Sequence, residues 1–365
     1  MTLSQPAHLF EPLRLRGLTL PHRVLVSPMC QYSSEDGFAN DWHFVHLGSR
    51  AAGGAALVFT EAAAVTADGR ISPQDLGIWN DDHVSVLDRI VRFVKSQGSA
   101  AGMQLAHAGR KGSTRRPWEP PGAIPPEEGG WQPVGPTDEP FSDGYPVPRP
   151  LTVDEIPAII GQFRNAAECA LEAGFDVVEI HAAHGYLLHE FYSPLVNRRT
   201  DEYGGSFERR VRLCLEVVEA VRAVWPERLP LFVRISATDW KDGGWDLDQS
   251  VELAKRLRDR GVDLVDCSSG GAVHHQQIAV GPGYQVPFAE RIRRDAGVAT
   301  GAVGMITEAA QADAIIGAGQ ADVVLLAREL LRDPYWPLHA ADALGQLVPW
   351  PAQYLRAAHR VTPAR

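Results

Sequence analysis

Three stretches of the chain repeat one pattern: a helix-forming run, a glycine, an aspartate, then a short β-branched strand. Two copies read Ala173-Gly174-Phe175-Asp176-Val177-Val178-Glu179-Ile180 and Arg260-Gly261-Val262-Asp263-Leu264-Val265-Asp266-Cys267. A looser third is Gly319-Gln320-Ala321-Asp322-Val323-Val324-Leu325-Leu326. The glycine suits a helix C-terminus, where a residue of positive φ is wanted. The apolar run suits a strand buried on both faces. In the segment before the second copy, Leu247, Val251, Ala254 and Leu257 fall on one helical stripe with charged residues opposite.

Counting outward from these repeats predicts eight strands, near 23–26, 56–60, 100–104, 177–181, 231–235, 264–267, 299–301 and 323–326. Helices fall between them, and one more begins near Pro334. Eight strand–helix units with no internal break predict an α/β chain folded as a single closed (β/α)8 barrel. A doubly wound open sheet would want a glycine-rich dinucleotide turn after an early strand, and none is present. Length alone, 365 residues, suggests two domains, but barrels of this type often exceed about 250 residues as one, so 1–365 is read as one domain.

One connection is abnormally long. It runs from 107 to 150, and from Pro117 to Pro150 it holds eleven prolines together with Trp118, Trp131, Phe141 and Tyr145. So much proline excludes a continuous helix. The aromatic residues favour an ordered cap over the barrel mouth, with a floppy insertion as the competing reading.

Composition narrows the classes of function. A hydrophobic share of 45% leaves ample material for a large core, and a net charge of −10 leaves no broad basic surface, so nucleic acid is not expected as a partner. Residues 1–12 lack a basic segment followed by an apolar run, and no stretch approaches the roughly 18 unbroken apolar residues of a membrane span. Cys30, Cys169, Cys214 and Cys267 are widely spaced and form no C-x-x-C pair. Structural zinc, iron–sulfur clusters and a disulfide framework are not expected, and a cytoplasmic enzyme is.

In this fold the active site lies at the C-terminal ends of the strands. The polar residues there are Ser27-Pro28-Met29-Cys30-Gln31-Tyr32, Glu61 beside Ala62, and Gln104 with His107 and Arg110. His181-Ala182-Ala183-His184-Gly185-Tyr186, Arg234, Gly304 and Arg328 complete the set. Loops after the seventh and eighth strands often hold phosphate, which Arg328 would grip bidentately; pairing of Arg328 with Glu329 or Asp333 is the alternative. His181 and His184 could donate hydrogen bonds to one substrate oxygen. They could instead ligate a metal with Glu179, giving a metal-dependent hydrolase or lyase, or be satisfied core histidines. The Tyr186 phenol suits proton donation in a sheltered site. Cys30 is either inert and buried or in contact with a cofactor, and spacing does not choose.

Four segments in order resemble the Old Yellow Enzyme family of FMN-dependent ene-reductases: Ser27–Ser33, Gln104–Lys111, His181–Tyr186 and Asn197–Arg209. The resemblance spans about 9–356, and a cysteine at position 30 matches the thermophilic-like bacterial branch. It implies non-covalent FMN across the barrel mouth. Ser27, Pro28, Met29 and Cys30 would line the isoalloxazine ring, with Cys30 near O4 and N5. Ala62, through its backbone, and Gln104 would meet the pyrimidine edge, and Arg234 would sit near N1 and O2. Gly304, Ala327 and Arg328 would hold the phosphate; the family often has glycine at position 327. His181 and His184 would bind the oxygen of an activated alkene, with Tyr186 as proton donor and Tyr32 shaping the pocket. NADPH, in preference to NADH, would be the reductant. Arg356 in Gln353-Tyr354-Leu355-Arg356 would act as an arginine finger from the 350–365 tail into a neighbouring subunit of a homodimer or homotetramer. The Asn197–Arg209 segment is read as structural, with Ser206 as an N-cap. A flavin-binding protein without turnover is the remaining alternative.

Overall fold

A computed structural model describes residues 7–358; residues 1–6 and 359–365, which include parts of the N-terminal stretch and of the tail discussed above, lie outside it. Eight parallel strands close into a barrel in sequence order: β1 (Val24–Val26), β2 (Leu57–Ala64), β3 (Ala100–Ala106), β4 (Val177–Ala182), β5 (Leu231–Ser236), β6 (Leu264–Ser268), β7 (Ala299–Ala302) and β8 (Val323–Leu326). Their outer ring is α1 (Asp41–Ala52), α2 (Asp82–Ser96), α3 (Ile156–Glu172), α4 (Arg212–Val224), α5 (Leu247–Asp259), α6 (Val286–Ala296), α7 (Ala309–Gly317) and α8 (Trp336–Ala343). All eight strands lie where the hydrophobic pattern predicts them.

The repeated glycine and aspartate have separate jobs. Gly174 and Gly261 leave α3 and α5 with φ of +85° and +83°, a conformation that strains any residue with a Cβ. Each aspartate then turns back to the start of the preceding strand. Asp176 Oδ2 accepts from Ala101 N at 3.1 Å, Asp263 Oδ2 from Leu231 N at 2.9 Å, and Asp322 Oδ2 from Thr300 N at 2.9 Å. The repeat therefore ties β4 to β3, β6 to β5 and β8 to β7 at their N-terminal ends.

Alternation along the strands divides the barrel interior into two levels. The lower level is apolar: Leu25, Leu57, Phe59, Val177, Phe232 and Leu325 belong to one buried cluster. Gly102 belongs there because a Cβ would lie 2.6 Å from the Phe59 ring. An antiparallel hairpin, Leu13–Leu15 with Leu18–Leu20, contributes Leu15 and Leu20 to that cluster and plugs the N-terminal end of the barrel. Two residues further along each strand the interior becomes polar, with Gln104, Glu179, Arg234 and Asp266 all buried. Outward-facing residues such as Val178, Ile180, Val233, Ile235 and Val324 pack with the helices in a second cluster.

The long connection after β3 contains a 3-10 turn, Gly109–Lys111, and a short parallel pair, Val134–Gly135 with Arg149–Pro150. It reaches across to the loop after β6, where Arg110 Nη2 donates to Ala272 O at 2.6 Å and His274 Nδ1 lies 3.1 Å from Phe141 O. Ser206 stands at the N-cap position of Phe207–Arg210 but makes no side-chain cap hydrogen bond. Asn197 Nδ2 bonds the carbonyls of Phe191 and Tyr203, so the Asn197–Arg209 segment is braced internally.

At the lower end, His22 is fixed as a neutral imidazole. Its Nδ1 accepts from Val24 N at 3.2 Å while Nε2 lies 2.7 Å from Gly54 O. Burial pushes its pKa down to about 4 against the hydrogen bond to Gly54, which raises it. In the unfolded chain the ring takes a proton below about 6.5, so the folded state loses stability as pH falls through that value. We expect the stability advantage of wild type over His22→Gln to shrink by about 3 kcal/mol between about pH 7 and about pH 4, the value of the pKa difference at about 1.4 kcal/mol per unit. Urea midpoints measured across that range check it; an advantage independent of pH contradicts the neutral-imidazole assignment.

Candidate active site

A cavity of about 340 Å³ opens at the C-terminal end of the barrel. It runs from Ser27, Pro28, His184 and Arg234 on one side to Gly304, Ala327 and Arg328 on the other. Residues separated by three hundred positions meet there because β1, β4, β5, β7 and β8 all end at this face.

The floor is set by Arg234, which is buried on β5. Its Nε donates to Asp266 Oδ2 and its Nη2 to Ser27 Oγ, both at 2.6 Å. Gln104 Nε2 donates to Glu179 Oε1 at 2.7 Å on the adjoining strands. The guanidinium is held charged: burial opposes its charge, but the Asp266 carboxylate bonded to it raises its pKa.

One wall carries the histidines. The ring centroids of His181 and His184 are 5.0 Å apart and edge to face, and His181 is equally close to Tyr186. His184 Nε2 lies 2.6 Å from Ser268 Oγ, while His181 Nδ1 is buried with no partner. Burial pushes both imidazoles well below their usual range, with Arg234 and Lys111 adding to it, so both are neutral. No group of three His, Cys, Asp or Glu side chains suited to a metal ion converges among the described residues. Glu179, the third ligand the metal reading required, is instead bonded to Gln104.

Tyr186 and Tyr32 face this wall. Burial raises the Tyr186 phenol well above its usual range, helped by Cys30, Tyr32 and Asp75, and so keeps the proton on it. Tyr32 is raised in the same way. The Cys30 sulfur is hydrogen-bonded to the backbone of Ala62 and the side chain of Tyr32; burial, then Asp75 and Glu61, push the thiol well up. Met29 packs against the outer core.

At the far end, Gly304 has φ of +111°, and Arg328 makes no hydrogen bond or ion pair among the described residues. The carboxylates that might have taken it are engaged elsewhere, Glu329 with Arg332 and Asp333 with His339. Arg356 is exposed on the turn Ala352–Ala357, whose Tyr354 ring stands 6.1 Å from that of Tyr335, and it does not line the cavity of its own chain.

Three residues that matter here were not singled out from the sequence. Asp266 and Ser268 were reachable by continuing the inward alternation of β6 from Leu264. Lys111 was not, because its role depends on a chain segment far away. Its Nζ donates to His184 O and Gly271 O, each at 2.7 Å. His184 has φ of +60°, an uncommon conformation for a side chain with a Cβ. A Cβ on Gly185 would lie 2.0 Å from Gly271 O. The Lys111 amine, whose pKa burial and then Arg110 push down to about 7, thus bridges two carbonyl oxygens and holds the strained loop in place.

A family model described as NADH:flavin oxidoreductase / NADH oxidase matches residues 8–346. An NADPH dehydrogenase of Geobacillus thermodenitrificans (strain NG80-2) is 51% identical over 350 residues, 95% of this chain and 98% of that protein. The structure of morphinone reductase in complex with tetrahydroNAD is similar with a TM-score of 0.76 at 30% identity, over 94% of this chain and 92% of that one. A 2-naphthoyl-CoA reductase complex reaches a TM-score of 0.83 at 24% identity, a likeness of fold alone, and this chain spans 52% of its length.

Replacing Lys111 by methionine should leave two carbonyls of the His184 loop without their shared donor. Hydrogen bonds to charged groups contribute about 1.5–3 kcal/mol, so a loss of about 3 kcal/mol is expected. Faster amide exchange at Gly185 and Tyr186, with the rest of the barrel unchanged, is the accompanying signature. Unaltered exchange there would remove the bridge from this account.

Proposed function

The chain belongs to the NADH:flavin oxidoreductase / NADH oxidase family, as a member of its Old Yellow Enzyme type, and from this premise we propose how the residues at its barrel mouth carry out the work of that family. The protein is an FMN-dependent NAD(P)H:enone oxidoreductase, an ene-reductase acting on C=C bonds conjugated to carbonyl, imide or nitro groups. The observation that carries the site reading is the single cavity joining Ser27, Pro28 and Arg234 to Gly304, Ala327 and Arg328.

The residues fit flavin mononucleotide. Arg328 has no hydrogen-bond or ion-pair partner among the described residues, and a Cβ on Gly304 would lie 3.0 Å from both Tyr284 and Gln285, so Gly304, Ala327 and Arg328 would hold the phosphate. Ser27, Pro28, Met29 and Cys30 would flank the ring system, and Ala62 and Gln104 its pyrimidine edge. The fixed charge of Arg234 would favour the anionic reduced form. Cys30, kept as a neutral thiol, is a weaker donor than a hydroxyl, and it groups the chain with the thermophilic-like bacterial branch. FMN held by these residues would supply the hydride chemistry that links a nicotinamide reductant to an activated alkene.

The protein's own part is to place the substrate and move one proton. His181 and His184 are neutral and therefore each has one ring N–H to give. They would donate to the substrate oxygen, where negative charge gathers; preorganised donors of this kind are worth roughly 3 kcal/mol each. Tyr186, whose phenol stays protonated, would then supply the α-carbon proton. Tyr32 would shape the same pocket. The connection 107–150 would cap the mouth, a reading supported by the contacts of Arg110 and Phe141 with the loop after β6. NADPH as the preferred reductant is supported by the names of the similar dehydrogenases. A homodimer or homotetramer, with Arg356 reaching a neighbour's site, is supported by the exposed position of that arginine outside its own cavity. A cytoplasmic location is supported by four cysteines that are all free thiols.

The test is a visible spectrum followed by anaerobic addition of NADPH and then cyclohexenone. Yellow protein that bleaches and regains its colour supports both half-reactions; absence of flavin absorbance after incubation with FMN overturns the reading. With His181→Ala and His184→Ala combined, re-oxidation by the enone should slow by at least about a hundredfold, the value of a single oxyanion donor, while bleaching by NADPH changes far less. Equal losses would argue against the assignment. Truncation after Trp350 should alter oligomeric state or enone affinity, and an unchanged protein would remove Arg356 from the site.

A further inference from the structure

Beneath the mouth, one level of the barrel interior holds more negative groups than its single guanidinium can match. Glu179 on β4, Arg234 on β5 and Asp266 on β6 are all buried. Arg234 is committed to Asp266 Oδ2 and Ser27 Oγ. Glu179 Oε1 is committed to Gln104 Nε2. The remaining carboxyl oxygens, Glu179 Oε2 and Asp266 Oδ1, are buried without any hydrogen-bond partner. Two ionised carboxylates against one guanidinium would leave one buried negative charge uncompensated, at a cost of several kcal/mol. Taking up one proton removes that charge.

Resting on the flavin reading above, we propose that Glu179 carries this proton and is a positioning residue for the cofactor, orienting Gln104 and leaving the charge of Arg234 balanced by Asp266 alone. Gln104 donates through its NH2 to Glu179 Oε1, the carbonyl oxygen of the acid when the proton sits on Oε2, and its own oxygen is free to accept from an N–H of the pyrimidine edge. Neutral Glu179 also keeps a second negative charge away from the end of the site where Arg234 would face the reduced flavin.

The surrounding groups agree with this assignment. From β3 comes Gln104, which does not titrate, and from β1 Ser27; β5 presents Arg234 and β6 presents Asp266. On its own strand, His181 is neutral. Burial, then the Asp266 charge, push the Glu179 carboxyl up to about 8, against Arg234 and the Gln104 hydrogen bond. Asp266 is raised by burial too, but its 2.6 Å contact with Arg234 makes it the ionised member. Reduction places added negative charge beside Arg234 and raises Glu179 further. From about pH 8, where Glu179 is half ionised, up to its higher pKa in the reduced protein, each two-electron reduction therefore takes up one more proton, at Glu179.

The experiment is the midpoint potential of the FMN-loaded protein from about pH 6 to about pH 10, for wild type, Glu179→Gln and Asp266→Asn. Wild type should steepen in its pH dependence above the Glu179 pKa by one proton per two electrons. Glu179→Gln, which copies the protonated shape, should follow wild type near neutrality and then not steepen. Asp266→Asn should move the onset to lower pH, because the repulsion is gone and Arg234 is free to pair with Glu179. On the cofactor-free protein, the infrared band of a protonated carboxyl at neutral pH should lose intensity in Glu179→Gln. Wild type without the added proton uptake overturns the proposal whether or not the variants fold, as does an unchanged infrared band. Failure to bind FMN would instead strike at the flavin reading, and the infrared comparison would still judge Glu179.

Discussion

A guanidinium inside a barrel has to be matched by anions, and most of the mouth of this protein follows from how Arg234 is matched. Its ion pair with Asp266 is buried on both sides, so removing Arg234 would strand a buried carboxylate. Its second bond reaches Ser27 at the far side of the barrel and fixes the loop that carries Pro28, Met29 and Cys30. Its charge also helps to keep His181 and His184 neutral, so that each histidine is a donor of one hydrogen bond and not an ion seeking a counter-charge. One positive group thus sets the protonation states of the site on both sides of it.

The second constraint is mechanical. His184 adopts a left-handed backbone beside glycines at 185 and 271, and the chain would relax out of it unless held. Lys111 holds it from a segment that begins the longest connection in the molecule, and Ser236 Oγ accepts from His184 N at 2.9 Å from below. The proline-rich connection is therefore anchored at its start to the His184 loop through Lys111 and to the loop after β6 through Arg110. The His184 loop and the start of the long connection thus share the Lys111 fastening.

The barrel was legible in the sequence because its strands are flanked by a repeated Gly and Asp whose tasks are local: one leaves a helix, the other bonds the strand before it. Barrel-end residues were legible because alternation and strand ends say where the mouth is. What escaped were features whose partners are remote. The hairpin Leu13–Leu20 has strands of three residues, too short for a period to show. Ser206 carries the right side chain for a cap, yet the helix after it is only four residues long and does not use it. Lys111 and Ser268 acquire meaning only when the loop after β4 bends back to them. Arg328 was ambiguous by sequence, and its acidic neighbours turned out to be occupied by Arg332 and His339.

The leucine hairpin at the bottom of the barrel closes the end opposite the site. Above it the lower barrel is filled by Leu25, Phe59, Phe232 and Leu325, so reductant and alkene would share the mouth and neither could enter behind the other. An alkene that arrives before its turn obstructs the nicotinamide without reacting. High alkene concentration would then slow turnover, a self-limitation that comes from two molecules taking turns at one mouth above a filled barrel.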